Sequence, residues 1–411
     1  MSQDFKHYFT MRESDVMEYV STQLDSFEPN AELTCTEIGD GNLNYVFRVV
    51  DSRTNRSIII KQAGPVARIS DEFIVSTDRN RIESEILKLQ YELAPGLVPH
   101  MYHYDPIMNC CVMEDLSDHV IMRKALLDHN QFPLFADHIT TFMVNTLLMT
   151  SDIVMNHKDK KERLKRFINP DLCEISEDLV FTEPFYDCPR NEVFEPTRAF
   201  AKSHLWDDEA LLFETAKLKF EFMNHAQSLL HGDLHSGSIF ITEKSTKIID
   251  PEFAFYGPAG YDVGNVIAHL LFAYVNADSV MANEQAKESQ KAWLLGSIVE
   301  VVDLFRAKWL RLFEEAAAER TARIPGFRAY YLDSIIQDAA ATAGLELIRR
   351  VIGLAQVKDI TTIADADVRA QAEKLCLIIG KQFIMKRTHI RTGDDVKQII
   401  EDAYSDSKVI S

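Results

Sequence analysis

The chain has 411 residues, of which 46% are hydrophobic and 26% charged. That is the make-up of a soluble globular protein long enough for two sizeable lobes with their own cores. Its net charge of -19 argues against a nucleic-acid backbone or an anionic membrane as the main partner, because both need basic surface.

The opening residues, MSQDFKHYFTMRESD, hold no apolar core of the kind a secretory leader carries. Residues 13–26 read as an amphipathic helix, with Val16, Met17, Val20 and Leu24 at helical spacing. From 33 to 62 the pattern turns to strands. Val46–Val50 and Ser57–Lys61 flank a polar turn and read as a hairpin. Ahead of it stands Gly39-Asp40-Gly41-Asn42-Leu43-Asn44, either a plain hairpin turn or a loop whose amides approach phosphate oxygens. Residues 80–93 read as a helix, and 101–105 and 110–114 as a strand pair ending in Glu114-Asp115-Leu116. Helical patterns then dominate to the C-terminus. The expected organisation is an N-terminal lobe over 1–113, a junction at 114–117 and a C-terminal lobe over 118–411.

One segment interrupts the helices: HGDLHSGSIFITEKSTKIIDPEFAFYGPAGYD, residues 231–262. Asp233 sits in a tight polar loop. Two short strands follow, Ile239–Ile241 and Lys247–Ile249, and the second ends in Asp250-Pro251-Glu252. A hairpin of these strands brings an isolated Asp close to a pair of carboxylates. Phosphoryl transfer needs that arrangement, with one carboxylate to orient a hydroxyl and others to hold Mg²⁺ on a triphosphate. In a strand-like D-x-E, alternate side chains point the same way, so Asp250 and Glu252 are expected to face one site. His231 is read as a structural histidine, while His235 points either to a metal or to a phosphate. Asp262 is expected to cap the next helix and brace the loop.

The next apolar stretch, Val263–Val275, contains Asn265 and His269 and is too short and polar to span a bilayer. Residues 276–330 look helical but cannot be placed. Further on, Arg349-Arg350 lies in a run apolar nearly all round at helical spacing, hence on a buried helix. A buried arginine needs a partner, and Glu346 is expected to neutralise only one of the two well. That leaves one guanidinium for structure and the other for the cleft, or both in a buried ion-pair network. The cysteines at 35, 110, 111, 173, 188 and 376 show neither metal spacing nor a disulfide framework, which fits a reducing cytoplasm.

The loop–strand–turn–strand–DxE order resembles the aminoglycoside phosphotransferase-like, eukaryotic-type kinase superfamily. The fuller strings resemble the methylthioribose kinase family: GDGNLNYVF at 39–47, KQAGPVAR at 61–68, RIES at 81–84, HGDLHSGSI at 231–239, IDPEFAFYGPAGYDVG at 249–264 and ELIRRVIGLAQV at 346–357. The resemblance implies an α+β, two-lobed protein-kinase-like fold. Its small N-terminal lobe would be an antiparallel sheet plus one helix, and its larger C-terminal lobe mainly helical. It implies an ATP- and Mg²⁺-dependent kinase acting on 5-methylthioribose, as a homodimer.

By that resemblance Asp233 is the catalytic carboxylate and also faces the substrate. Asp250 and Glu252 hold the metal, and Ser238 stands where protein kinases place a metal-binding Asn. Asn44 and Lys61 serve ATP, Glu83 rather than Glu85 fixes Lys61, and the backbone at Glu114 and Leu116 reads adenine. Arg349 and Arg350 serve the acceptor. The rivals are another kinase of this fold (for an aminoglycoside, choline or homoserine), a metal hydrolase built on His231-x-Asp233-x-His235, and a nucleotide-binding protein without catalysis. The hydrolase needs further ligands at metal spacing, which the other histidines do not supply.

Overall fold

The computed structural model describes residues 4–38, 44–64 and 76–410. The glycine-rich stretch 39–43 and residues 65–68 of the KQAGPVAR string lie outside them.

Five antiparallel strands form the N-terminal sheet: β1 Leu33–Glu37, β2 Asn44–Asp51, β3 Ser57–Ala63, β4 Met101–Asp105 and β5 Cys110–Glu114, in the order β1-β2-β3-β5-β4. The isoleucine run 58–60 makes β3 a natural central strand, since β-branched side chains suit a pleated surface. Lys61 pairs with Val46 on β2 and Cys111 on β5. Helix α1, Glu13–Gln23, lays Val16, Tyr19 and Val20 against one sheet face. It stops short of residue 26 because Leu24 is already extended. Helix α2, Arg79–Leu93, carries Glu83 inward. This cluster around Phe47, Ile58, Ile60 and Val112 is a core separate from the larger helical one.

After the two-residue strand β6, Val120–Ile121, come α3 Met122–Leu127 and α4 Phe135–Met149. Helices α5 His157–Arg166, α6 Pro170–Leu179, α7 Glu195–Ala201 and α8 Glu209–Asn224 follow. Short β7, Ser228–Leu229, leads into the 231–262 segment, where β8 Ile239–Ile241 and β9 Thr246–Ile248 form the expected hairpin and β10 Tyr256–Gly257 pairs with β7. The chain closes with α9 Gly260–Val280, α10 Glu284–Ala316, α11 Phe327–Ile352, the short α12 Lys358–Thr361, α13 Ala366–Lys386 and α14 Gly393–Ile410.

The larger core is centred on α9, α11 and α13. A Cβ on Gly344 would lie 2.4 Å from the Gly380 carbonyl oxygen, so glycine lets α11 and α13 cross in backbone contact. Residues 276–330 are mostly α10, which packs on α4, α9 and α14. Its polar links run to α4 and α11, through Lys308–Asp137 and Arg306–Asp333. Among the described residues, no helix is long and apolar enough to cross a membrane.

Candidate active site

Pairing of Ile239 with Ile248 puts the start of β8 beside the end of β9. The Asp233 loop and Asp250 therefore meet at one end of the hairpin. The loop is braced from below. Asp262, in the first turn of α9, accepts the His231 and Gly232 backbone N–H groups at 2.7 and 3.0 Å. His231 contacts the Ile249 carbonyl through Nε2 at 2.8 Å, tying the two arms of the segment together. With its Nδ1 accepting from the Asp233 N–H, the His231 ring serves the loop and is not aimed at a shared metal with His235.

His235 contacts Asp233, with Nε2 lying 3.3 Å from Oδ2. Its Nδ1 accepts the Gly237 backbone N–H at 3.0 Å, so in the neutral ring the proton is on Nε2 and is donated to Asp233. Burial depresses the His235 pKa, which keeps the ring neutral. Burial lifts Asp233, but His235, Arg350 and Arg349 outweigh it and hold the carboxyl below its ordinary range. Asp233 is thus an ionised acceptor at neutral pH.

Across the site, Lys61 is buried between two carboxylates. Its Nζ lies 2.9 Å from Glu83 Oε1, and it is paired directly with Asp250. Burial pulls Lys61 down, yet Asp250, Glu83 and Glu252 raise its pKa well above the ordinary lysine value. Glu85 instead meets Arg81 and Arg166.

Asp250 and Glu252 do not sit in a strand. Asp250 has φ 66° and ψ 44° and precedes a 3₁₀ turn over Pro251–Phe253. Pro251 cannot continue a strand ladder, and Asp is among the few side chains that tolerate left-handed backbone. The strand-alternation argument for their common direction therefore fails, although the turn still gathers them. Carboxylate oxygens of Glu83, Asp250 and Glu252 lie within 4.8 Å of one another. The Asp250 side chain is 41% exposed, whereas Glu252 is buried, taking Asn44 Nδ2 at 2.8 Å and lying 3.4 Å from Arg79 Nε. Hard oxygen donors packed this closely fit a divalent cation shared with phosphate oxygens and water. Burial raises the Glu252 pKa, with Asp250 adding to the effect, and a bound cation would relieve that repulsion.

Beside Asp233, Glu346 serves both arginines, contrary to the expectation of one. Oε1 accepts from Arg350 Nε at 2.8 Å and Arg349 Nη2 at 3.1 Å, while Oε2 pairs with Arg349 Nε. A carboxylate with two oxygens spans positions i+3 and i+4 together. Arg350 Nη2 lies 3.9 Å from Asp233 Oδ1. The network extends from Glu346 through His269, 3.0 Å away, to Ser236.

Glu114 and Leu116 lie at the end of the sheet. The Glu114 N–H is given to His100, and the Leu116 carbonyl accepts from His119. Sequence reasoning missed Arg79, Arg123 and His269. Arg79 stands one turn before Glu83 on a helix where an exposed arginine is the default, and nothing local marks it as buried.

The phosphotransferase enzyme family model matches residues 190–293, which hold the Asp233 loop and the Asp250 turn. A methylthioribose kinase from Bacillus pumilus is 40% identical over 388 residues, covering 94% of this chain and 96% of the relative. One from Geobacillus thermodenitrificans is 41% identical over 381 residues, covering 92% and 94%. The chain belongs to the methylthioribose kinase family. Among solved structures, a choline kinase from Cryptosporidium parvum aligns with TM-score 0.46 and 13% identity, covering 93% of this chain and 99% of that one. The architecture is the two-lobed kinase-like α+β type, with a small antiparallel sheet lobe and a larger helical one.

Proposed function

We propose that the chain transfers the γ-phosphoryl group of ATP to the anomeric hydroxyl of 5-methylthioribose, giving 5-methylthioribose 1-phosphate and ADP, a step in methionine salvage. The observation that carries this reading is the convergence of Lys61–Glu83, Asp250–Glu252 and Asp233 at one end of the β8–β9 hairpin. The hydroxyl oxygen attacks the γ-phosphorus as the bond to the bridging oxygen breaks, and ADP leaves.

Asp233 accepts the hydroxyl hydrogen bond and orients its lone pair. With a depressed pKa it is a weak base, so its main work is orientation, and the proton departs late in the transfer. The Nε2–H of His235 holds the carboxylate in place. Lys61, positioned by Glu83, binds phosphate oxygens as a point charge. Asp250 and Glu252 would hold Mg²⁺, which when bound neutralises charge on the triphosphate. Asn44 and Arg79 keep Glu252 turned to the site, and Asn44 opens the strand directly after the glycine-rich stretch 39–43, on the ATP side. Arg349 and Arg350 face the acceptor and the charge developing on the transferred group. The backbone at Glu114 and Leu116 reads adenine, with the lobe boundary at 114–117. Cytoplasmic location and a homodimer rest on the family resemblance.

The test is a coupled ADP-release assay with ATP, Mg²⁺ and 5-methylthioribose beside ribose, choline, homoserine and an aminoglycoside. Turnover confined to 5-methylthioribose supports the reading, and turnover with another acceptor alone overturns it.

A further inference from the structure

Two polar groups, the half-buried Arg123 beside the Asp233 loop and the buried Asp359, have no part in the proposed transfer. Arg123, on α3, packs against the turn at Gly237, where an added Cβ would lie 2.7 Å from its Nη2. Its Nε is buried without a hydrogen-bond partner, and among the described residues no carboxylate lies within ion-pair distance. Nη2 has His235 Nδ1 at 3.4 Å, but that lone pair already receives the Gly237 N–H. Asp359, on α12, is only 2% exposed, and its Oδ2 has no hydrogen-bond partner. Helices α3 and α12 both pack on α9, which also carries His269. Leaving a buried donor atom and a buried carboxylate oxygen unmatched is costly. An exchangeable ligand that supplies both an acceptor and a donor removes the cost, and a hydroxyl group does both.

We propose that Arg123 and Asp359 form the sugar-recognising end of the acceptor site, Arg123 donating to ring hydroxyl oxygens of the acceptor and Asp359 accepting from a ring hydroxyl. The proposal rests on the reading that the acceptor lies beside Asp233. Electrostatics support the placement. Burial lifts the Asp359 carboxyl to about 6, while its own backbone N–H and then Arg123 pull it down and favour the anion. Burial also depresses Arg123, with Arg350 adding to the effect and Asp359 and Asp233 opposing it. Arg123, Arg349 and Arg350 are then matched by Asp233, Glu346 and Asp359. A charge-balanced pocket suits a neutral polyol. It suits neither a cationic acceptor nor one with a carboxylate of its own.

The experiment compares kcat/KM for 5-methylthioribose with that for analogues lacking the 2- or the 3-hydroxyl, in the wild type, Arg123→Met and Asp359→Asn. The wild type should prefer the full sugar over at least one analogue by about tenfold to a hundredfold. In each variant that ratio should collapse toward one while the KM for ATP stays within about twofold. Unchanged ratios in both variants would overturn the proposal. Thermal melting checks the fold, and if Arg123→Met does not fold, Arg123→Lys is read by the same ratio. A wild type inactive on 5-methylthioribose would instead sink the kinase reading and this inference with it, while an active wild type with unchanged ratios sinks the inference alone.

Discussion

Asp262 Oδ1 accepts the backbone N–H of Gly232 at 3.0 Å, and this bond fixes the residue immediately before the proposed catalytic carboxylate. The bend it holds is open only to glycine. Gly232 has φ +85°, and a Cβ there would sit 2.3 Å from the Phe253 carbonyl oxygen. Gly232→Ala should therefore push the Asp233 loop off the Asp250 turn. A displacement of about 1 Å is enough to cost on the order of 10²-fold in kcat. The KM for ATP should move little, because Lys61 and Glu83 lie on other elements. Steady-state kinetics decide it, and a kcat within threefold of wild type (roughly 0.7 kcal/mol) contradicts the steric argument.

Asp233→Asn keeps the volume and removes the charge proposed to accept the hydroxyl. The expected loss in kcat is about 10²–10⁴-fold. Asn fills the same volume and His235 can still donate to its amide oxygen, and thermal melting checks that the variant folds. Unchanged turnover would show that another group orients the acceptor.

Much of this arrangement was legible because its signals are local. The β8–β9 hairpin carries turn chemistry between two apolar runs, and its register alone dictates that Asp233 and Asp250 meet. The isoleucine run of β3 and the helix carrying Glu83 are likewise periodic, while the choice of Glu83 over Glu85 as the partner of Lys61 rests on the family resemblance. Two readings failed for a common reason. The D-x-E segment was treated as a strand, but Asp250 enters left-handed backbone and Pro251 starts a 3₁₀ turn. Glu346 was assigned one arginine by helix-face spacing, while its two oxygens reach both. Side-chain reach and single-residue dihedrals leave no periodic trace. Arg79, Arg123 and His269 were invisible for a different reason. Each acquires its meaning from a partner far away in sequence, such as Glu252 for Arg79 or Glu346 for His269.

Glu83 and Glu85 separate two kinds of acidic residue on one helix. Glu83→Gln removes the charge paired with Lys61 at 2.8 Å, leaving Asp250 as its main anchor. A hydrogen bond between charged groups contributes about 1.5–3 kcal/mol, so the kcat/KM for ATP should fall on the order of tenfold to a hundredfold. Glu85→Gln touches only the half-exposed contacts to Arg81 and Arg166 and should leave that ratio within about twofold. Equal effects from the two substitutions would contradict the assignment.

His269 links stability to pH. Burial pulls its pKa down to about 3, against the pull of Glu346. The unfolded chain's histidine titrates near 6.5. Between those values the unfolded state binds the extra proton, so stability is fully present above about 6.5 and is lost as pH falls toward 3. This one group should remove on the order of 1.4 kcal/mol per pH unit below about pH 6. Urea denaturation at several pH values, compared between wild type and His269→Gln, reads the term directly. The variant should show a shallower loss on acidification, and identical slopes would mean that His269 titrates in the folded protein as it does in the unfolded chain.

Glu346 holds Arg349 and Arg350, the arginines proposed to face the acceptor, together in the helical core. It is 1% exposed and receives Arg349, Arg350 and His269. Glu346→Gln would leave two guanidinium groups buried without their shared carboxylate. Removing one partner from a buried ion pair costs about 3–5 kcal/mol. The freed arginines would then turn to the nearest remaining anion. Arg350 already lies 3.9 Å from Asp233 Oδ1, so that anion is the carboxylate proposed to orient the acceptor hydroxyl. The variant should thus lose stability and catalysis together, with a lower melting temperature and a higher KM for the acceptor. The double variant Glu346→Gln/Arg349→Met separates the two effects. Removing the surplus charge should recover part of the melting temperature, since one fewer guanidinium is then buried without a carboxylate. It should not recover the acceptor KM if Arg349 faces the substrate. Recovery of both would reduce Arg349 to a structural partner of Glu346.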